Sequence, residues 1–111
     1  MLNVFCDRPR ELLSSVCNAI REGEHAEWEL HADGRLRYVG RSGRLRDAAK
    51  LEPRRYEHGI TFRYCGIRAE RKLRGEVLLR AKLHGRMLEL LAGSFLGAYT
   101  SVVFEPQPLR G

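Results

Sequence analysis

The stretch Glu76–Leu91, EVLLRAKLHGRMLELL, admits two readings that lead to different folds. At helical spacing, Leu79, Leu83, Met87 and Leu90 or Leu91 share one stripe. At strand spacing, Val77, Leu79, Ala81 and Leu83 alternate with Leu78, Arg80, Lys82 and His84. Gly85 tips the choice. In a helix interior it costs about 1 kcal/mol relative to Ala, whereas Gly85-Arg86 suits a type II′ turn with Gly at its first central position. Such a turn pairs Leu83 with Leu88, Ala81 with Leu90, and Lys82 with Glu89. The sequence therefore predicts two strands here.

The neighbouring segments extend that reading. Upstream, Ile60, Phe62 and Tyr64 alternate with Thr61, Arg63 and Cys65. A four-residue loop at 69–72 pairs Ile60 with Ala81, Phe62 with Leu79, and Tyr64 with Val77, so two turns give one apolar face. Downstream, the glycines of AGSFLG at 92–97 read as a connection, and a last strand near Tyr99–Phe104 ends at Pro106. Residues 41–59 keep no steady period. Arg41-Ser42-Gly43 reads as a turn, Leu45 to Leu51 as one or two helical turns, and Pro53 as a stop.

The first forty residues are more regular. Leu2–Phe5 predicts an edge strand. Asp7 offers an N-cap, and Pro9 falls in a first turn, where its missing N–H costs nothing. Leu12, Leu13, Val16, Cys17 and Ile20 follow at 3.6-residue spacing, and Gly23 supplies a C-terminal stop, so residues 8–22 predict an amphipathic helix. From Ala26 the period is two. A three-residue loop with Gly34 in the left-handed conformation pairs Leu30 with Leu36 and Trp28 with Tyr38, and sets Glu29 opposite Arg37. A two-residue turn would mix the faces.

These elements sum to an α+β fold in one domain, residues 1–111. One N-terminal amphipathic helix covers a curved antiparallel β-meander. The connectivity resembles that of cystatin-like and other helix-grip folds in topology alone, which implies no function.

Composition narrows the classes of function. The 111 residues carry 20 Lys and Arg against 14 Asp and Glu, a net charge of +6. Seventeen of those cations are Arg and three are Lys. No apolar run approaches the roughly 20 residues that span a bilayer, and MLNVFCDRPR does not read as a secretory signal. A cytoplasmic protein with no membrane contact is the expectation. Cys6, Cys17 and Cys65 form no CxxC pair and are expected as reduced thiols. His25, His31, His58 and His84 are scattered, so neither a metal nor another cofactor is expected. There is no phosphate-binding glycine loop.

The strand register places Arg35, Arg37, Arg63, Arg80, Lys82 and His84 on the outer face of the sheet. Arg44, Arg46, Arg54 and Arg55 lie on the adjacent irregular loop. Glu27, Glu29 and Glu89 partly neutralise that face. The expectation is a non-catalytic module for an acidic partner, either a nucleic-acid backbone or an acidic protein. Cys65 and His84 also share that face in this register, but without an orienting carboxylate. Two alternatives stand beside this reading. Trp28, Tyr38, Phe62 and Tyr64, all on the inner face, would line a small-molecule or minor enzymatic pocket between helix and sheet, or else fill the core. The edge strands would otherwise pair in a homodimer of structural role.

Overall fold

A computed structural model describes residues 1–40, 49–66 and 73–105. In chain order these form β1 (Leu2–Phe5), α1 (Pro9–Arg21), β2 (Trp28–Leu30), β3 (Leu36–Tyr38), β4 (Ala49–Tyr56), β5 (Gly59–Gly66), α2 (Leu73–Ser94) and β6 (Ser101–Phe104). The strands make one antiparallel sheet in the order β2-β3-β4-β5-β1-β6. The α+β class is therefore the observed one, with six strands and two helices among the described residues.

Glu76–Leu91 overturn the expectation of two strands, since the whole stretch lies inside α2. Leu83, Met87, Leu90 and Leu91 are each at most 5% exposed. They stand at i, i+4, i+7 and i+8, one face of a helix. Gly85 is exposed, and a Cβ built on it meets nothing within 4 Å. Its helical cost of about 1 kcal/mol is outweighed by four buried side chains, worth roughly 1.5–3 kcal/mol each. The place beside β5 that residues 77–81 were expected to fill belongs to β1, through Leu2 opposite Phe62 and Val4 opposite Ile60. Thus β1 is an interior strand rather than an edge, and β6 lies beyond it. Among the described residues the connectivity is β-α-β-β-β-β-α-β, with a helix in place of the expected last hairpin.

Residues 49–56, expected as irregular chain with a helical turn before Pro53, are likewise regular. These residues form β4, and Pro53 pairs with Phe62. The short β3 meets β4 only at Lys50 and Leu51. From Pro53 onward that side of β4 has no strand ladder, and proline is tolerated where no N–H is asked for. The turn at 41–43, the loop at 69–72 and Pro106 lie outside the described residues.

Other local readings agree with the structure. The β2–β3 register is Trp28 with Tyr38, Glu29 with Arg37, and Leu30 with Leu36. Gly34 takes φ +88°, the left-handed conformation the three-residue loop requires. Helix α1 ends at Arg21, and Gly23 follows at φ +84°. At its start, Arg8 rather than Asp7 occupies the N-cap, without a side-chain cap, and Pro9 opens the first turn.

Helix α1 packs on β2, β4 and β5, and α2 on β4 and β5. Leu12, Val16 and Ile20 join Leu83, Met87 and Leu91 in one core with Leu2, Val4, Leu36, Leu51, Ile60 and Phe62. Both helices thus cover the same side of the sheet and leave the other side uncovered among the described residues.

Candidate functional site

Strand alternation determines what the open side displays. Leu51, Phe62 and Leu2 point into the core, so their neighbours Lys50, Glu52, Arg54, Thr61, Arg63, Cys65, Asn3 and Phe5 point away. Cross-strand pairing orders these residues into rows. Glu29, Arg37, Lys50 and Cys65 form one. Glu52 and Arg63 form the next, reached by Arg35 from the β2–β3 turn. Arg54, Thr61, Asn3 and Val103 form a third. The last contains Tyr56, Gly59, Phe5 and Ser101.

Among the described residues, five cations, Arg35, Arg37, Lys50, Arg54 and Arg63, therefore share this face with four carboxylates, Glu29, Asp33, Glu52 and, through its bond to Asn3, Glu105. Arg54 is 3.3 Å from Glu52 and Arg37 is 3.8 Å from Glu29. Arg35 reaches Glu52 at 3.8 Å and Asp33 at 3.9 Å. A hydrogen bond from the Arg35 backbone N–H is the main reason the Asp33 carboxyl is held below its usual range, with the neighbouring cations adding to it. In the centre of the face, Thr61 donates to Asn3 Oδ1 at 2.7 Å, and Asn3 Nδ2 donates to Glu105 at 2.7 Å. Thr61 and Asn3 thus satisfy one another, and the Glu105 carboxylate completes the chain at the β6 end of the row.

The structure brings together some of the expected binding residues and separates others. Arg35, Arg37, Arg54 and Arg63 do meet on the open face. Lys50, which the sequence reading passed over, joins them because β4 is a strand. Arg55, opposite Ile60, belongs to the helix-side register and reaches solvent at the sheet margin. Arg80 and Lys82 lie on α2, on the far side of the sheet, since no strand forms there. The Arg80 guanidinium stacks 4.6 Å from the Tyr64 ring centroid. Arg44 and Arg46 lie outside the described residues. Glu89 pairs with Arg86 on α2 and does not neutralise the face.

His84 also moves from the expected outer face to the core, where it is 2% exposed. Its Nδ1 is 2.8 Å from the Arg80 carbonyl and its Nε2 is 3.1 Å from the Phe62 carbonyl. Burial is the main force holding its pKa below the usual histidine value; the Met1 amino group also lowers it, and the two carbonyls oppose. The sheet now separates His84 from Cys65. Burial, together with Glu52, pushes the Cys65 thiol up despite Arg35, Arg63 and Arg54. A cysteine–histidine pair is therefore not formed by these two residues.

The aromatic quartet expected as a pocket lining belongs to the core. Trp28, Tyr38, Phe62 and Tyr64 are all at most 7% exposed, and Trp28 meets Tyr38 edge-on at 5.3 Å. A groove of about 330 Å³ lies elsewhere, between the start of α1 and residues 95–100, with Arg8, Glu11, Leu12, Phe95 and Tyr99 on its walls. Among the described residues no group of three or more His, Cys, Asp or Glu is placed to hold a metal ion. Nor is any helix among them long and apolar enough to cross a membrane.

Besides Lys50, sequence reasoning missed Phe5 and Tyr56 on this face, 43% and 57% exposed. A period-two signal was present for Tyr56, since Lys50, Glu52, Arg54 and Tyr56 alternate, but Pro53 obscured it. Comparison of the chain with protein-family models, with curated proteins and with solved structures gives no match, so the site stands on its own geometry.

Proposed function

We propose that the chain is a non-catalytic binding module whose open sheet face holds an acidic partner. The observation that carries this is the convergence of Arg35, Arg37, Lys50, Arg54 and Arg63 on one face, in excess over its carboxylates. Ion pairs at 3.3–3.9 Å between partly exposed groups contribute only about 0–1 kcal/mol. A phosphate or carboxylate can replace them, and guanidinium groups grip such oxygens in pairs. The scaffold is read as a variant of the helix-grip arrangement, with α1 held by the sheet and α2 added as a second cover. Three free thiols suit a reducing, cytoplasmic setting.

Fluorescence anisotropy with labelled RNA, single-stranded DNA, duplex DNA and polyglutamate, each at two salt concentrations, tests the reading. Binding is expected to weaken steeply as salt rises, because each phosphate contact releases counterions. Reversing Arg54→Glu and Arg63→Glu together is expected to weaken binding to every sequence alike. Failure to bind any of these polyanions at low salt overturns the proposal.

One observation favours a second reading, a homodimer. Strand β6 lies at the sheet edge with no charged residue in Ser101–Phe104, and Val103 and Phe104 are 46% and 49% exposed. Such an edge templates pairing with a second strand. Sedimentation of the wild type and of Val103→Lys tests it: a dimer lost in the variant supports the reading, and a wild-type monomer at high concentration removes it.

A further inference from the structure

We infer that the acidic partner is a single-stranded nucleic acid whose bases stack on Tyr56 and Phe5. This deepens the reading above and rests on it.

Tyr56 on β4 and Phe5 on β1 both pair with Gly59 on β5, so the two aromatics flank a residue without a side chain. A Cβ at Gly59 would stand 2.3 Å from the Val4 carbonyl oxygen, so the packing of β1 against β5 requires glycine there. Strands lie about 4.8 Å apart, which puts the two aromatic positions on the order of 10 Å from each other across a bare backbone floor. Both rings are well exposed on a side of the sheet that neither helix covers.

Beside the rings, chemistry changes from aromatic to cationic within a few residues. Arg54 is two residues along β4 from Tyr56, roughly 7 Å away, and Arg63 is four residues along β5 from Gly59, roughly 13 Å. Thr61 and Asn3 lie between, with the Glu105 carboxylate held by Asn3 on the β6 side, away from Arg54 and Arg63 in the strand order. No carboxylate stands within ion-pair distance of Arg63 among the described residues, and its side chain is exposed. Lys50, Arg37 and Arg35 continue the positive track toward β2. Aromatic platforms bordered by a basic track suit unpaired bases on a phosphodiester chain, since every base has a face to stack and every linkage carries a charge. An acidic polypeptide would engage the cations and leave both rings unused. A duplex keeps its bases stacked on one another and has none to offer.

The test compares oligonucleotides of equal length and charge, oligo-dT and oligo-U against an abasic strand, with polyglutamate as a base-free polyanion. Anisotropy is expected to show both base-bearing strands bound at least about fivefold tighter than the abasic one, as stacking of even a single base provides. Tyr56→Ala and Phe5→Ala are each expected to remove about fivefold or more of that preference and to leave abasic binding unchanged, while Tyr56→Phe retains it. Circular dichroism of the variants checks that the exposed rings were removed without loss of fold. Equal affinity of the wild type for abasic and base-bearing strands overturns the stacking inference but leaves the acidic-partner reading intact. Binding of polyglutamate without either oligonucleotide does the same and turns the partner into an acidic protein. Absence of binding to all four overturns both.

Discussion

Replacing Gly85 by alanine tests the element on which the fold turns. Gly85 lies within the 22 residues of α2, well inside both ends. A methyl group there meets nothing within 4 Å, so it neither clashes nor fills a gap in the core. The change reduces to backbone conformation. Alanine exceeds glycine by about 0.8–1.0 kcal/mol in a helix interior, mostly by removing freedom from the unfolded chain. For a domain of this size the melting temperature is expected to rise by about 4 °C. Urea unfolding followed by circular dichroism measures the same gain as a higher midpoint at unchanged slope. Gly34→Ala serves as the internal contrast. Gly34 has φ +88° in the β2–β3 turn, where a side chain costs about 1–2 kcal/mol, so the same substitution lowers stability there. Loss of stability in Gly85→Ala, comparable to that in Gly34→Ala, would refute a continuous α2 and restore a turn with positive φ at Gly85.

Three more outcomes follow from the packing and the buried histidine. Val16→Asp places a carboxylate at a site with 0% exposure, and the loss is expected to exceed about 3 kcal/mol in denaturant unfolding; a wild-type melt would show that α1 does not cover the sheet. Gly59→Ala drives a Cβ to 2.3 Å from the Val4 carbonyl oxygen, so β1 must shift, with an expected loss of about 2 kcal/mol and faster hydrogen exchange along β1. For His84, the lowered pKa means that the folded protein binds this proton less readily than the unfolded chain does. Its contribution is complete above the unfolded value of about 6.5 and is lost as the pH falls through the lower folded value. Unfolding midpoints are expected to drop between pH 7 and pH 5, and His84→Gln is expected to flatten that part of the profile.

Where one segment carried its own partner or its own stop signal, sequence alone determined the structure. Helix α1 needed only a 3.6-residue stripe, Pro9 and Gly23. The β2–β3 hairpin needed only period-two alternation and Gly34, and even its register, Trp28 with Tyr38, was legible, because one loop length alone keeps apolar residues opposite one another. Arg35, Arg37 and Arg63 were legible as outward-facing for the same reason. Glu76–Leu91 were not, because the deciding contacts are distant. The edge of β5 that these residues would have joined is taken by β1, with Leu2 and Phe62 sixty positions apart in the chain. Once β1 is there, a helix is the way for Leu83, Met87, Leu90 and Leu91 to reach the core, and their burial exceeds the local preference of one glycine severalfold. Pro53 likewise stops a strand only when a neighbour asks for its N–H, and the shortness of β3 removes that demand. The open face inherits both decisions. Arg80 and Lys82 left it with the helix, Lys50 and Tyr56 entered it with β4, and Phe5 entered with β1. A binding surface shared among several strands depends on strand order, and that order is set by competition for buried partners across the whole chain.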